Sequence, residues 1–112
     1  MGEPTDPRAT LEEEMERLRI RYVERLELNL TEMAQLAAEV SGSERDRRVL
    51  AELHHRLHKL AGTAGTFGFD AIGGRARQLE AMAQEWLESS LEGLDQAVWR
   101  SFIDDVKGLR IE

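Results

Sequence analysis

"LAELHHRLHKLAGTAGTFGFD", residues 50–70, opens as an amphipathic helix and closes on three glycines. Leu50, Leu53, Leu57, Leu60, Ala64 and Phe67 recur at steps of three and four, which places them on one helical stripe. Gly62, Gly65 and Gly68 follow at three-residue spacing. A glycine inside a helix costs roughly 0.5–1 kcal/mol relative to alanine, so the cluster needs a reason in packing, backbone conformation or access. The helix is expected to end near Gly65 or Gly68, where glycine adopts a left-handed conformation.

The same periodicity extends outward in both directions. Leu11, Met15, Leu18, Tyr22, Leu26, Leu30, Met33, Ala37 and Val40 form one long stripe. Thr10 is the expected cap at its start, Asn29 with Thr31 mark a candidate bend, and Ser41–Gly42–Ser43 end it. Ser43 followed by Asp46 predicts the start of the second helix. Asp70 is the expected cap of a third, with Ile72, Ala76, Leu79, Met82 and Trp86 inward. Glu88, Ser89 and Ser90 break that helix, and Ser89 with Glu92 predicts a capping box for a fourth. Leu94, Val98, Phe102, Val106 and Leu109 are its expected inward face, and Trp86, Trp99 and Phe102 are expected in the core. Four amphipathic helices with short connections predict an all-α, antiparallel up-down four-helix bundle. Residues 1–9 read as a mobile leader and 10–112 as the single domain.

Composition agrees and excludes several classes. Aromatics are 5% of 112 residues, and no proline follows Pro7. A net charge of −7 argues against nucleic-acid binding, which needs a dominant basic face. Without cysteine there is neither a disulfide framework nor a thiolate metal site. No apolar run is long enough to span a membrane, so a cytoplasmic monomer is expected.

All three histidines, His54, His55 and His58, lie in the second helix. At about 100° per residue, His58 points roughly 120° away from the centre of the apolar stripe. Gly62 and Gly65 lie close to its direction in the following turns, so the imidazole stands beside bare backbone, open to a large partner. A metal site on His54 and His58 with Glu80 is the weaker reading, because a metal-bound imidazole cannot also act as a nucleophile. Gly62, Gly65 and Gly68 do not form a nucleotide-binding loop, since no strand precedes them.

"HKLAGTAGTFGF", residues 58–69, resembles the histidine-containing phosphotransfer (HPt) domain, most closely that of chemotaxis-type histidine kinases. His58, Leu60, Gly62, Thr63, Ala64, Gly68 and Phe69 match that pattern in order and without a gap. The resemblance implies that His58 accepts a phosphoryl group and passes it to or from a receiver aspartate in a two-component phosphorelay. It implies a glutamate on the next helix that orients the ring, and Glu80 stands at that position. On the predicted third helix Gly73, Arg77, Glu80 and Gln84 share one face that can turn toward His58. The family often has a lysine three residues after the histidine, where this chain has Ala61, so Lys59 or Arg77 is expected to neutralise the phosphoryl group. Gly62, Gly65, His54 and Ala61 are the expected docking surface. The implied partners are a receiver domain and a histidine kinase. No cofactor or metal is expected on this chain, because the Mg²⁺ of the chemistry belongs to the partner. No kinase motif is visible in the chain, so a phosphotransfer intermediate without autonomous kinase activity is expected. The alternative is a docking module that binds a receiver or kinase without being phosphorylated.

Overall fold

A computed structural model describes residues 7–40 and 46–111. Four helices follow one another: α1 (Pro7–Glu39), α2 (Arg47–Ala64), α3 (Asp70–Glu88) and α4 (Gln96–Lys107). A single 3-10 turn, Gly65–Phe67, extends α2. α2 packs chiefly on α3, and α1 packs on α4 and α2, which gives the helical bundle expected from the periodicity.

α1 begins at Pro7, so Thr10 lies inside the helix rather than capping it. Proline suits a first helical position because its missing N–H would have no partner there. The helix continues through Asn29 and Thr31 without a break. The Thr31 hydroxyl is absorbed by the Glu27 carbonyl one turn earlier, at 3.1 Å. Asn29 Oδ1 accepts from Arg56 at 2.8 Å, which ties the helix to α2. At 33 residues α1 is about 50 Å long, against roughly 27 Å for α2. That mismatch has a direct consequence. The stripe is buried only from Leu26 through Met33, Ala37 and Val40, whereas Leu11, Met15 and Leu18 remain 60%, 58% and 47% exposed.

The starts of α2 and α4 are set by aspartates. Asp46 caps α2 by accepting from the Arg48 and Val49 amides at 2.8 and 3.4 Å. The Ser43 start, like the stop at Ser41–Ser43, lies outside the described residues. Asp95 caps α4, accepting from Ala97 and Val98 amides at 2.7 and 3.3 Å. The capping box expected of Ser89 and Glu92 is therefore not formed. The Ser89 hydroxyl instead donates to the Glu85 carbonyl at the end of α3, and Ser90 Oγ accepts from the Glu92 amide. Leu91 is buried in this connection, and that anchorage delays the helix until Gln96. One residue of the expected core face of α4 departs from it: Val98 is 42% exposed, while Trp99 is fully buried as expected.

Trp99 and Phe102 are fully buried and meet Trp86 of α3, with ring centroids 6.2 and 5.0 Å from it. Trp99 Nε1 donates to the Val40 carbonyl at 3.3 Å, pinning α4 to the end of α1. Arg47 donates to the Leu87 carbonyl, closing α2 onto α3 at the same end of the bundle. At the other end Tyr22 stacks on Phe67 at 4.3 Å and its hydroxyl shares a 3.0 Å hydrogen bond with Thr63.

Candidate functional site: the α2–α3 face

The site begins with a close approach of backbones. An added Cβ on Gly73 of α3 would sit 3.2 Å from the Ala64 Cβ of α2. That is tighter than an ordinary Cβ contact, so glycine eases the close approach of the two helices, and Gly73 is buried in the contact. Gly68 reverses the chain between them. Its φ of 87° is left-handed, its amide donates to the Gly65 carbonyl at 3.1 Å, and the Phe69 amide donates to the Ala64 carbonyl at 2.9 Å. That paired closure is a Schellman motif. Phe69 occupies the N-cap position of α3 without a side-chain hydrogen bond, and Asp70 falls one residue inside the helix instead of capping it. Its carboxylate still lies favourably in the first turn of the helix dipole.

From this fixed end α2 and α3 run antiparallel, and three pairings follow in order. Gly65 lies against Gly73. One turn on, the Arg77 guanidinium donates to the Ala61 carbonyl at 3.3 Å. One turn further, His58 Nδ1 and Glu80 Oε2 are 2.6 Å apart. The side chain of His58 is 68% exposed while that of Glu80 is only 22% exposed, so the carboxylate is set back against the bundle and the ring stands out from it. A carboxylate can only accept, so Nδ1 carries the proton in this pair and the lone pair of the neutral imidazole lies on Nε2.

The other expected residues separate into distinct places. An added Cβ at Gly62 meets nothing within 4 Å, so the surface beside His58 is open there. Gly65 would bring a Cβ within 3.5 Å of Asp70 Oδ1, an ordinary contact. Ala61 is buried, and its side chain cannot contribute to a docking surface. Its position on the stripe-facing flank of α2, between Leu57 and Ala64, accounts for that burial. His54 is half-buried with Nε2 enclosed and unpartnered, so its imidazole is withdrawn from the surface it was expected to share with His58. Lys59 lines a groove between α1 and α2 of about 690 Å³, away from the α3 side where His58 meets Glu80. Gln84 donates to Glu88 at 2.7 Å along its own helix. Among the described residues no group of three His, Asp or Glu side chains is placed to hold a metal ion.

An ion network in the α1–α2 interface was not anticipated. Arg56 donates to Glu32 of α1 at 2.8 Å, to Glu52 of α2 at 2.9 Å and to Asn29. The hydrogen bond to Glu32 holds the Arg56 guanidinium above its ordinary pKa, against a partial lowering by burial, with Glu52 adding to the rise. The Glu52–Arg56 spacing of four is visible in the sequence, but the distant Asn29 and Glu32 are not.

Among the described residues no helix is long and apolar enough to cross a membrane. Neither a curated protein nor a solved structure matches the chain significantly. A family model described as the Hpt domain matches residues 8–108, which takes in every helix and the whole α2–α3 face. An exposed imidazole held by a carboxylate at the centre of that match is the arrangement the motif predicts, and the chain belongs to the Hpt domain family, whose members carry out histidine phosphotransfer in two-component phosphorelays with kinases and response regulators.

Proposed function

We propose that this chain is a phosphorelay intermediate and that His58 is its phosphoacceptor. The observation that carries the reading is the 2.6 Å contact of His58 Nδ1 with Glu80 beneath an exposed ring. The Nε2 lone pair attacks the phosphorus of an acyl phosphate on a receiver aspartate. The N–P bond forms, the P–O bond to the aspartate breaks, and the carboxylate leaves with the bonding pair. The ring keeps its Nδ1 proton and becomes cationic, and the Glu80 carboxylate stabilises that charge through the hydrogen bond already in place. Return to a second receiver is the same step reversed. A kinase domain with bound ATP is the other donor of this chemistry, and Mg²⁺ comes with the partner.

Arg77 is the group that we assign to the phosphoryl oxygens. Its guanidinium is held one turn beyond His58 by the Ala61 carbonyl, the residue position where the family often has lysine. Lys59, turned to the α1 side, is the poorer candidate. The test is incubation with phosphorylated receiver domains and detection of acid-labile phosphate on the chain. Label is expected on the wild type and none on His58→Gln, with melting unchanged because the ring is exposed. Label retained on the Gln variant, or found on His54 or His55, would overturn the assignment. A wild-type chain that binds receivers but never becomes labelled would be a docking module instead.

A further inference from the structure

We infer that two copies of this chain pair through the overhanging N-terminal half of α1, running antiparallel, so that each helix covers the other's exposed apolar stripe. Three observations carry this. The first is the stripe. Leu11, Met15 and Leu18 continue the core face of α1 beyond the point where α2 can cover it, and together they are the largest run of exposed apolar side chains on one helix face. Apolar residues at steps of four, three and four, ending at Tyr22, form the seam of a two-stranded coil.

The second is charge. The stripe is flanked by Glu12 and Glu14 near its start and by Arg19 and Arg21 seven residues later on the same two flanks. A reversed second copy packs Met15 against the partner's Leu18 and Leu11 against the partner's Tyr22. That register sets Glu12 beside the partner's Arg19 and Glu14 beside the partner's Arg21, and two-fold symmetry repeats both pairs; within one chain Glu14 is paired with exposed Arg17 and Arg19 lies over the Phe69 ring, contacts that the pairing shares or replaces. A parallel copy would pair only Glu14 with the partner's Arg19 and would leave Glu12 and Arg21 without opposite charges across the seam.

The third is the α1–α2 groove, which adjoins the stripe and shares Leu18 and Tyr22 with it. Its two acids, Glu32 and Glu52, are both engaged by Arg56. Among the described residues its remaining cations, Arg21, Arg25 and Lys59, form no ion pair. The groove therefore presents unpaired positive charge over apolar walls to the acidic, leucine-bearing first turns of the partner. His58 faces α3 and stays open in such a pair.

Sedimentation equilibrium over a concentration series tests the pairing. The expected mass rises toward twice the 12.7 kDa of one chain. Met15→Glu with Leu18→Glu should remain at the single-chain mass and keep its helical fold, since both positions are exposed in one chain, while losing any concentration dependence of melting. Glu14→Arg and Arg21→Glu should each weaken pairing, and mixing the two should restore it. The chain has no cysteine, so Met15→Cys and Leu18→Cys are clean reporters. The antiparallel register gives a cross-link between the two variants when mixed, in excess of either homodimer. A wild type that stays at the single-chain mass throughout would overturn the inference. So would a doubly glutamate-substituted chain that still dimerises, or cross-links only between like positions.

Discussion

The His58–Glu80 hydrogen bond joins two side chains with opposite exposures, and that asymmetry shapes what each contributes. The set-back carboxylate is held by α3 packing, so it fixes ring orientation and tautomer without covering Nε2. Glu80→Ala is expected to slow phosphorylation by about 10- to 100-fold rather than abolish it, because an orienting partner is lost while the nucleophile remains. Nitrogen chemical shifts of His58 should report the change directly: a single Nδ1–H tautomer in the wild type and a mixture in the variant. An unaltered tautomer and an unaltered rate together would reduce Glu80 to a surface residue. Arg77→Ala should slow transfer while leaving the tautomer unchanged, which separates charge neutralisation from ring orientation.

Each glycine in the motif answers a different requirement, and this becomes visible only at the scale of the elements. Gly62 faces open space, Gly68 takes a left-handed φ, and Gly73 on the facing helix admits Ala64. Gly62→Leu should leave the fold intact, with a helix-propensity gain of about 0.5–1 kcal/mol, and should obstruct receiver docking. Gly73→Leu should cost about 1–3 kcal/mol, because the extra atoms would force α2 and α3 apart. Urea unfolding and transfer rates measured on both variants check the contrast. Normal transfer in Gly62→Leu would show that the bare surface is not used for access. The motif marked the place where glycines gather, but their separate roles depend on which helix lies opposite. The same limit explains the misplaced caps. Thr10, Asp70 and the Ser89–Glu92 pair each carry local capping chemistry, yet the helices start at Pro7, Asp70 and Gln96. Local side-chain capping is worth about 1 kcal/mol, and burial of a single residue such as Leu91 outweighs it.

For the whole molecule, stability concentrates at the end of the bundle far from the Tyr22–Phe67 stack. Trp99, Phe102 and Trp86 meet there, and the buried indole N–H of Trp99 reaches the Val40 carbonyl. Trp99→Ala should cost about 3–5 kcal/mol, which is comparable with the entire stability of a small domain. Thermal unfolding monitored by circular dichroism should show a chain largely unfolded at 37 °C. A cooperative transition within a few degrees of wild type would show that α4 is not needed to hold the bundle.

What the sequence determined by itself was local and periodic. Steps of three and four among Leu, Met and Val define amphipathic helices in water, because 3.6 residues per turn is a property of the backbone. Periodicity along α2 likewise placed the His58 imidazole on an exposed flank, since that follows from residue order along a single helix, whereas Glu80 on the facing helix was located through the resemblance to the Hpt motif. The tertiary structure decided everything that depends on relative length and offset between helices. Leu11, Met15 and Leu18 obey the same periodicity as Leu26 and Met33, but α2 is too short to cover them, so equal patterning ends in opposite exposure. Val98 was left on the surface, His54 was drawn inward, and Arg56 gathered Asn29, Glu32 and Glu52 for the same reason. A residue's neighbours across an interface are fixed by how far one helix slides and rotates against another, and that is set by the packing of all the buried side chains together.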